Sequence, residues 1–167
     1  MLQHPVETSL PDSAQRVADL LQSIGHPHPV VMLAATGKTS AEAAAGLGCE
    51  IGAIAKSIIF KRVADEVAVL VIASGATRVD EAKVAALLGP ISKADAKFVK
   101  QRTGYAIGGV CPIGHLTPSV ILIEQGLLQW PSIWAAAGHP HAVFNLTPQQ
   151  LQQMTGAPVV DAALLAD

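Results

Sequence analysis

The sequence predicts an α+β fold, a single domain over residues 1–167 in which helices flank a mixed β-sheet. Half of the residues are hydrophobic and only 14% are charged, which supplies enough apolar surface for a core and excludes intrinsic disorder. Two adjoining β-rich runs, residues 56–62 and 66–73, predict a hairpin at the centre of the sheet. Helical patterns are interspersed irregularly among the strands, which favours a mixed sheet over a doubly wound parallel one.

The N-terminal part of the chain predicts a helix followed by a short strand. Apolar residues recur at helical spacing over residues 12–24, with Asp12 or Ser13 as the N-cap and Gly25 as the end of the helix. A proline-rich turn follows, and residues 30–33 then predict a strand.

Capping residues mark the helices that follow. Thr39 and Glu42 have the spacing of a capping box, which predicts an alanine-rich helix closed by Gly46 and Gly48. The remaining chain predicts helices over residues 79–88 and 94–102, strands over residues 119–124, 132–137 and 142–146, and a last helix that begins at Thr147-Pro148 and ends at Gly156.

Positive charge is concentrated in one part of the chain. All eleven lysines and arginines lie within residues 16–102, a stretch with a net charge of +3, although the whole chain carries −2. Its densest piece contains Lys93, Lys97 and Lys100, which would share one helix face if residues 93–102 were helical. The overall charge argues against a generally basic nucleic-acid binder, so this face is either solvated or a small patch that contacts phosphates.

The cysteines and the apolar runs bear on the compartment. Cys49 and Cys111 are far apart and form no CxxC pair, so neither a disulfide framework nor a thiolate zinc site is indicated. The longest apolar run, residues 67–73, is too short to cross a bilayer, and the N-terminus lacks a signal-peptide pattern. We therefore expect a cytoplasmic protein with no membrane partner.

Two motifs suggest other chemistries without completing them. His26-Pro-His28 and His139-Pro-His141 have a spacing that can suit a metal, but neither pair has a cysteine or an acidic residue nearby. A metal-dependent hydrolase built on these histidines remains an alternative. Residues 36–39 resemble the end of a P-loop, but Met32 occupies the position of its first glycine, which argues against nucleotide hydrolysis.

Two further features are poorly explained by packing alone. Lys56 begins an apolar strand and, at a period of two, shares a face with Ile58 and Phe60, where an ammonium group is normally avoided. Residues 103–114 contain four glycines and a proline, which permit close approach of a ligand to main-chain N–H groups. The competing interpretations are a lysine that extends to solvent and a purely structural turn.

With these residues the sequence resembles the YbaK/EbsC-like family, which includes the editing domain inserted in bacterial prolyl-tRNA synthetases. The similarity rests on residues 39–44, 54–60, 103–114 and 136–138, in that order, and extends from about Thr39 to Asp161. Its most specific part is the combination of a lysine at a strand start with a GxxxP loop at this separation.

The resemblance implies a curved, barrel-like sheet and a trans-acting deacylase that hydrolyses the ester between a wrong amino acid and tRNA, chiefly mischarged tRNA for proline. It implies Lys56 as the essential catalytic side chain, no metal or organic cofactor, no DNA partner, and prolyl-tRNA synthetase as a candidate partner. The expected substrate-binding residues are Gly108, Gly109, Val110, Cys111, Pro112 and Gly138, and the expected tRNA-binding residues are Lys93, Lys97 and Lys100.

The chain departs from the family at Cys111, where relatives often carry serine before the loop proline, and this bears on amino-acid preference. Residues 107–113 predict a small apolar pocket suited to alanine or 2-aminobutyrate, with cysteine as the main competing substrate and proline excluded by its shape. The main alternative function is a non-catalytic module that binds aminoacyl-tRNA or aminoacyl-adenosine. The presence of Lys56 together with the complete GxxxP spacing favours the enzyme.

Overall fold

The computed structural model describes residues 10–34 and 39–165, so the P-loop-like residues 36–38 lie outside it. The helices of the described chain are α1 Asp12–Ser23, α2 Ser40–Leu47, α3 Glu81–Leu88, α4 Ala96–Thr103 and α5 Pro148–Thr155, with short 3-10 helices at Ile51–Ala53 and Gln125–Gln129. The strands are β1 Val30–Met32, β2 Ile54–Arg62, β3 Ala68–Ser74, β4 Ile91–Lys93, β5 Val120–Glu124, β6 Ile133–Ala136, β7 Ala142–Leu146 and β8 Val159–Val160. None of these helices is long and apolar enough to cross a membrane.

All eight of these strands belong to one sheet, with the order β1-β7-β6-β2-β3-β5-β8 and with β4 paired to β2. The predicted hairpin is confirmed, because β2 and β3 pair in antiparallel register from Ala55–Ser74 to Lys61–Ala68. Strand β5 then pairs in parallel with β3, and β6 in parallel with β2. The sheet is therefore mixed, and the predicted α+β class is confirmed.

Both faces of the central hairpin are covered, which explains why every residue of β3 is buried. Leu70 and Ile72 face the main core, whereas Val69 and Val71 face a second apolar cluster completed by Val84 of α3. Alternation along the strand produces this division of side chains between the two faces. Lys56 pairs with Ala73 and so lies on the same face as Val69 and Val71.

Strand β2 is incompletely paired on the edge that faces away from β3. On that edge it pairs with β6 only at Ile54 and Ala55, and with β4 only from Phe60 to Arg62. Residues 56–59 therefore have no partner strand there in the described part of the chain. The Arg62 N–H bonds to the Val67 carbonyl, so the main-chain groups of Arg62 point toward β3. Because these groups alternate between the two edges of a strand, those of residues 57 and 59 point away from β3, into the gap.

The helix ends agree with the capping signals, with two differences. Thr39 and Glu42 form the predicted capping box of α2, but the helix ends at Gly48, with φ of 69°, and includes Gly46. The N-cap of α1 is Pro11, not Asp12 or Ser13, because the extended backbone of Pro11 already supplies the carbonyl that Gln15 binds. The last helix begins at Thr147-Pro148 and ends at Gly156, as predicted.

The prediction that Lys93, Lys97 and Lys100 share one helix face is wrong. Lys93 lies in β4, which pairs with the end of β2. Asp95 is the N-cap of α4, because its carboxylate accepts a hydrogen bond of 2.8 Å from the Phe98 N–H. The helix therefore begins only at Ala96. Lys97 and Lys100 are therefore on a helix that does not contain Lys93.

Candidate active site

A small cavity lies where β6 separates from β2, and we call it the edge cavity. Its volume is about 90 Å³. Lys56 and Ser57 of β2 line it. Gly108 and Val110 also line it, and they belong to residues 103–114, which we call the glycine-rich segment. The other described lining residues are mostly apolar: Ser40, Ala43, Ile54, Ala55, Trp134, Ala135, Ala136, Pro140, Ala142 and Val143. The unpaired edge of β2 thus becomes one wall of a site, and the glycine-rich segment becomes another.

Lys56 is held by the turn that follows β3. Its ammonium group donates a hydrogen bond to the carbonyl oxygen of Thr77. Partial burial lowers the pKa of Lys56, and the positive charge of Arg78 lowers that pKa further. A lysine in this position presents a localised positive charge with few alternative orientations.

Ser57 is a site residue that the sequence analysis missed. Its hydroxyl oxygen is buried and has no hydrogen-bond partner in the described structure. Such an atom costs stability unless a ligand supplies the missing bond. The sequence offered one signal, a hydroxyl side chain inside the apolar run of residues 54–60. That signal indicates a site only once the gap between β6 and β4 is known.

The glycine-rich segment is packed tightly against the turn after β6. A Cβ atom added at Gly109 would lie 2.7–2.9 Å from the main-chain N, Cα and C atoms of His139. One at Gly138 would lie 2.5 Å from the Ser13 carbonyl oxygen. Gly108 has φ of 93°, in the region that favours glycine. Close main-chain contact therefore fixes the path of Gly108–Val110 along the edge cavity.

Three side chains donate hydrogen bonds to main-chain carbonyls of this segment. The Tyr105 hydroxyl donates a hydrogen bond of 2.8 Å to the Ile113 carbonyl. Arg16 donates to the Gly114 carbonyl, and its guanidinium carbon lies 5.0 Å from the centre of the Tyr105 ring. His115 Nε2 lies 2.7 Å from the Cys111 carbonyl oxygen, to which it donates. Main-chain carbonyls on both sides of Pro112 are thus anchored.

The Cys111 side chain is buried in the main core and does not line the edge cavity. Burial raises the pKa of its thiol to about 12, so the thiol is neutral at physiological pH. Gly109, Pro112 and Gly138 are also buried and lie outside the lining. Of the six expected substrate-binding residues, the structure places Gly108 and Val110 on the cavity wall.

The three lysines expected to contact tRNA are divided by the fold. Lys93 lines a wider groove that also meets Lys56, described below. Lys97 and Lys100 are exposed on α4 and line neither space.

The two histidine pairs lie in turns, where their rings contact each other with centroids 5.7 Å and 5.6 Å apart. His26 bonds the Asn145 carbonyl at 2.7 Å, and the His139 ring accepts from the His141 N–H at 3.1 Å. Across residues 10–34 and 39–165, no group of three or more His, Cys, Asp or Glu side chains could hold a metal ion.

Comparisons with known proteins found a matching family profile and similar solved structures. The sequence profile described as "Aminoacyl-tRNA editing domain" matches residues 34–154. A solved structure described as a proposed trans-editing enzyme for prolyl-tRNA synthetase is 41% identical, with a TM-score of 0.87, over 94% of this chain and all of the other. A scaffold protein from a computational epitope-grafting study is 39% identical, with a TM-score of 0.87, over 93% of this chain and all of the other.

A curated relative is less similar in sequence. The uncharacterised protein YwhH of Bacillus subtilis is 29% identical over 122 residues, which are 72% of this chain and 77% of the relative.

Proposed function

Since the chain belongs to the aminoacyl-tRNA editing domain family, we propose that it is a trans-acting deacylase that hydrolyses the ester of mischarged tRNA for proline. The observation that carries this proposal is the edge cavity, where a held lysine, an unpartnered hydroxyl and a glycine-rich main chain meet. The choice of proline tRNA is supported by the 41% identity to the proposed prolyl trans-editing enzyme.

In the proposed reaction a water molecule attacks the carbonyl carbon of the aminoacyl ester. The bond between that carbon and the terminal ribose oxygen breaks, and the proton from water passes to the ribose oxygen. The products are the free amino acid and uncharged tRNA. Lys56 stabilises the negative charge that develops on the carbonyl oxygen, and the main chain of Gly108–Val110 orients the acyl group.

No covalent intermediate with the protein is proposed. The neutral, buried Cys111 thiol cannot act as a thiolate. Ser40 and Ser57 line the edge cavity, but no His, Asp or Glu among its described lining residues is present to activate a hydroxyl. We therefore assign catalysis to positioning and electrostatics, and the proposed reaction invokes no metal or organic cofactor.

The lining of the cavity favours a small amino acid. Its mostly apolar walls suit the short aliphatic side chain of alanine or 2-aminobutyrate, and cysteine is the main competitor. Because one methylene in an apolar pocket changes selectivity by only about 1–3 kcal/mol, we expect modest separation among these three. Proline is excluded by the shape of its ring. The remaining expected binding residues, Gly109, Cys111, Pro112 and Gly138, act by holding the wall in place.

The proposed macromolecular partner is the mischarged tRNA, with prolyl-tRNA synthetase as a candidate second partner. Lys93 contacts tRNA beside the site, while Lys97 and Lys100 on α4 contact phosphates farther from the ester. Such contacts add affinity that weakens with salt.

The test is a deacylation panel. Proline tRNA charged with alanine, 2-aminobutyrate, cysteine or proline is incubated with the protein, and release of the amino acid is measured. We expect the alanyl and 2-aminobutyryl esters to be cleaved well ahead of the prolyl ester. Equal hydrolysis of the prolyl and alanyl esters would exclude editing, and binding of all four without hydrolysis would indicate a non-catalytic module.

A further inference from the structure

A second depression adjoins the edge cavity on the α3 face of the sheet, and we call it the cationic groove. It is lined by β2, by the turn after β3, by the start of α3 and by the end of β4. Lys56 is the one described residue that lines both spaces. The groove is the wider and more open of the two, so it can hold a larger group than the edge cavity can.

The charge in the groove is mostly positive. Among the described residues, Lys56, Arg78 and Lys93 line it, opposed by the single acidic side chain of Glu81. In the described structure the side chains of Arg78 and Lys93 form neither an ion pair nor a hydrogen bond, although Arg62 and Lys83 both pair with aspartates. The side chains of Ile58 and Phe60 provide an apolar floor between these charges.

The main chain that carries Arg78 is fixed on both sides. The Arg78 carbonyl accepts a hydrogen bond of 2.7 Å from the Leu164 N–H, and Val79 forms a bridge with Ala163. The preceding residue, Thr77, accepts the bond from Lys56. The guanidinium group on this support lines the groove, and the described residues offer it no hydrogen-bond or ion-pair partner.

We infer that the cationic groove binds the phosphates of the single-stranded 3′ end of tRNA, with Arg78 and Lys93 as the phosphate-binding residues. This inference rests on the proposed function, because it takes the ester to lie at Lys56. The acyl group enters the edge cavity on one side of Lys56, and the terminal nucleotides leave along the groove on the other. A guanidinium group forms paired hydrogen bonds to phosphate, and the apolar floor suits the face of a base.

The experiment measures binding of a fluorescein-labelled trinucleotide, 5′-phosphorylated CCA, at several salt concentrations. The trinucleotide carries no amino acid. Arg78→Gln is the test variant and Arg62→Gln is the matched control, because Arg62 carries the same charge on β2 but lines neither space. We expect Arg78→Gln to weaken binding about tenfold and to reduce the slope of log affinity against log salt by about 0.7, as for one lost phosphate contact on a single strand. Arg62→Gln should bind within about twofold of the wild type, since its surface ion pair contributes little.

The outcomes separate the groove from the proposed reaction. Equal binding by Arg78→Gln and wild type, or an equal loss in Arg62→Gln, would overturn the inference. So would failure of the wild type to bind the trinucleotide at millimolar concentration while it still binds full-length tRNA. Arg78-dependent binding by a protein that hydrolyses none of the four esters would support the groove and reject the deacylase. Inhibition of ester hydrolysis by adenosine, which has no phosphate, should be the same in Arg78→Gln as in the wild type.

Discussion

The ammonium group of Lys56 on β2 donates a hydrogen bond to the carbonyl oxygen of Thr77, in the turn that follows β3. That turn is itself held by close packing and by a side-chain hydrogen bond. A Cβ atom at Gly75 would lie 2.4 Å from the Ile51 carbonyl oxygen, and the Ser74 hydroxyl donates a bond of 2.8 Å to the Gly52 carbonyl. Since the acceptor is fixed before any ligand binds, the charge of Lys56 is preorganised, which is the condition for effective electrostatic stabilisation.

Replacement of this lysine tests its catalytic role. We expect Lys56→Ala to lower the rate of deacylation by at least about 100-fold, as for loss of one oxyanion-stabilising group. Its melting temperature should stay near that of the wild type, because the ammonium group is partly desolvated and little core volume is lost. Lys61→Ala on the same strand is the control, since Lys61 lies over the Phe98 ring, 5.1 Å from its centre, and lines neither space. A folded Lys56→Ala protein with the wild-type rate would refute the assignment.

Local sequence signals predicted most of the elements that position this site. The β7 prediction over residues 142–146 matches the observed strand, and the Thr147 cap marks the start of α5 because its side chain binds the Gln150 N–H. Strand β4 was not predicted because Ile91 is its only apolar residue, and β8 was not predicted because two residues are too few to show a period. The missed β4 also produced the error at Lys93.

The chemistry of the site was less accessible to sequence analysis than its location. Lys56 could be identified because a lysine is unusual at an inward position of an apolar strand. Arg78 gave no such signal, and the hydroxyl of Ser57 within an apolar run could not be interpreted from sequence. The role of each depends on the arrangement of distant segments: a gap between β6 and β4 for Ser57, and a hydrogen bond to Leu164 for Arg78.

The unpartnered hydroxyl of Ser57 predicts opposite effects on stability and activity. Ser57→Ala should leave the free energy of unfolding unchanged or raise it by up to about 1 kcal/mol, because it removes a buried group with no bond. It should lower kcat/KM for every ester if the hydroxyl binds the α-amino group that all share. Ser74→Ala is the control: its hydroxyl donates to the Gly52 carbonyl and accepts from the Ala76 N–H, so denaturant unfolding should show a loss of about 1–2 kcal/mol. A clear loss of stability in Ser57→Ala would contradict this account.

Close packing at Gly109 predicts that even a methyl group is not tolerated there. In Gly109→Ala the new Cβ would overlap main-chain atoms of His139 at 2.7–2.9 Å, so we expect destabilisation by more than about 2 kcal/mol in chemical denaturation. Gly46→Ala is the matched control within α2, where the nearest atom is a Leu33 methyl at 3.6 Å. Helix propensity should make that change stabilising by about 0.5–1 kcal/mol. Equal stability of the two variants would show that the segment can move away from His139.

Charge reversal on α4 tests whether that helix contacts tRNA away from the ester. We expect Lys97→Glu with Lys100→Glu to weaken binding of full-length tRNA at low salt and to leave kcat at saturation nearly unchanged. Binding of the CCA trinucleotide should not change, because neither lysine lines the cationic groove. Wild-type affinity for tRNA in the double variant would identify this helix face as solvated surface.

The burial of the His115 side chain predicts a pH-dependent stability. Burial and, less strongly, the charge of Arg16 lower the pKa of His115, against the opposing effect of its bond to the Cys111 carbonyl. The unfolded chain, with an ordinary histidine pKa near 6.5, then binds the proton more readily than the folded chain does. The free energy of unfolding should therefore fall as pH decreases through about 6.5 and continue to fall until the pKa of the folded state is passed. Melting temperatures between pH 7.5 and 5 should show a smaller decrease in His115→Gln, whose amide can still donate to Cys111, than in the wild type. His28→Gln, in an exposed turn, is the control, and an unchanged pH dependence in His115→Gln would mean that His115 does not couple protonation to folding.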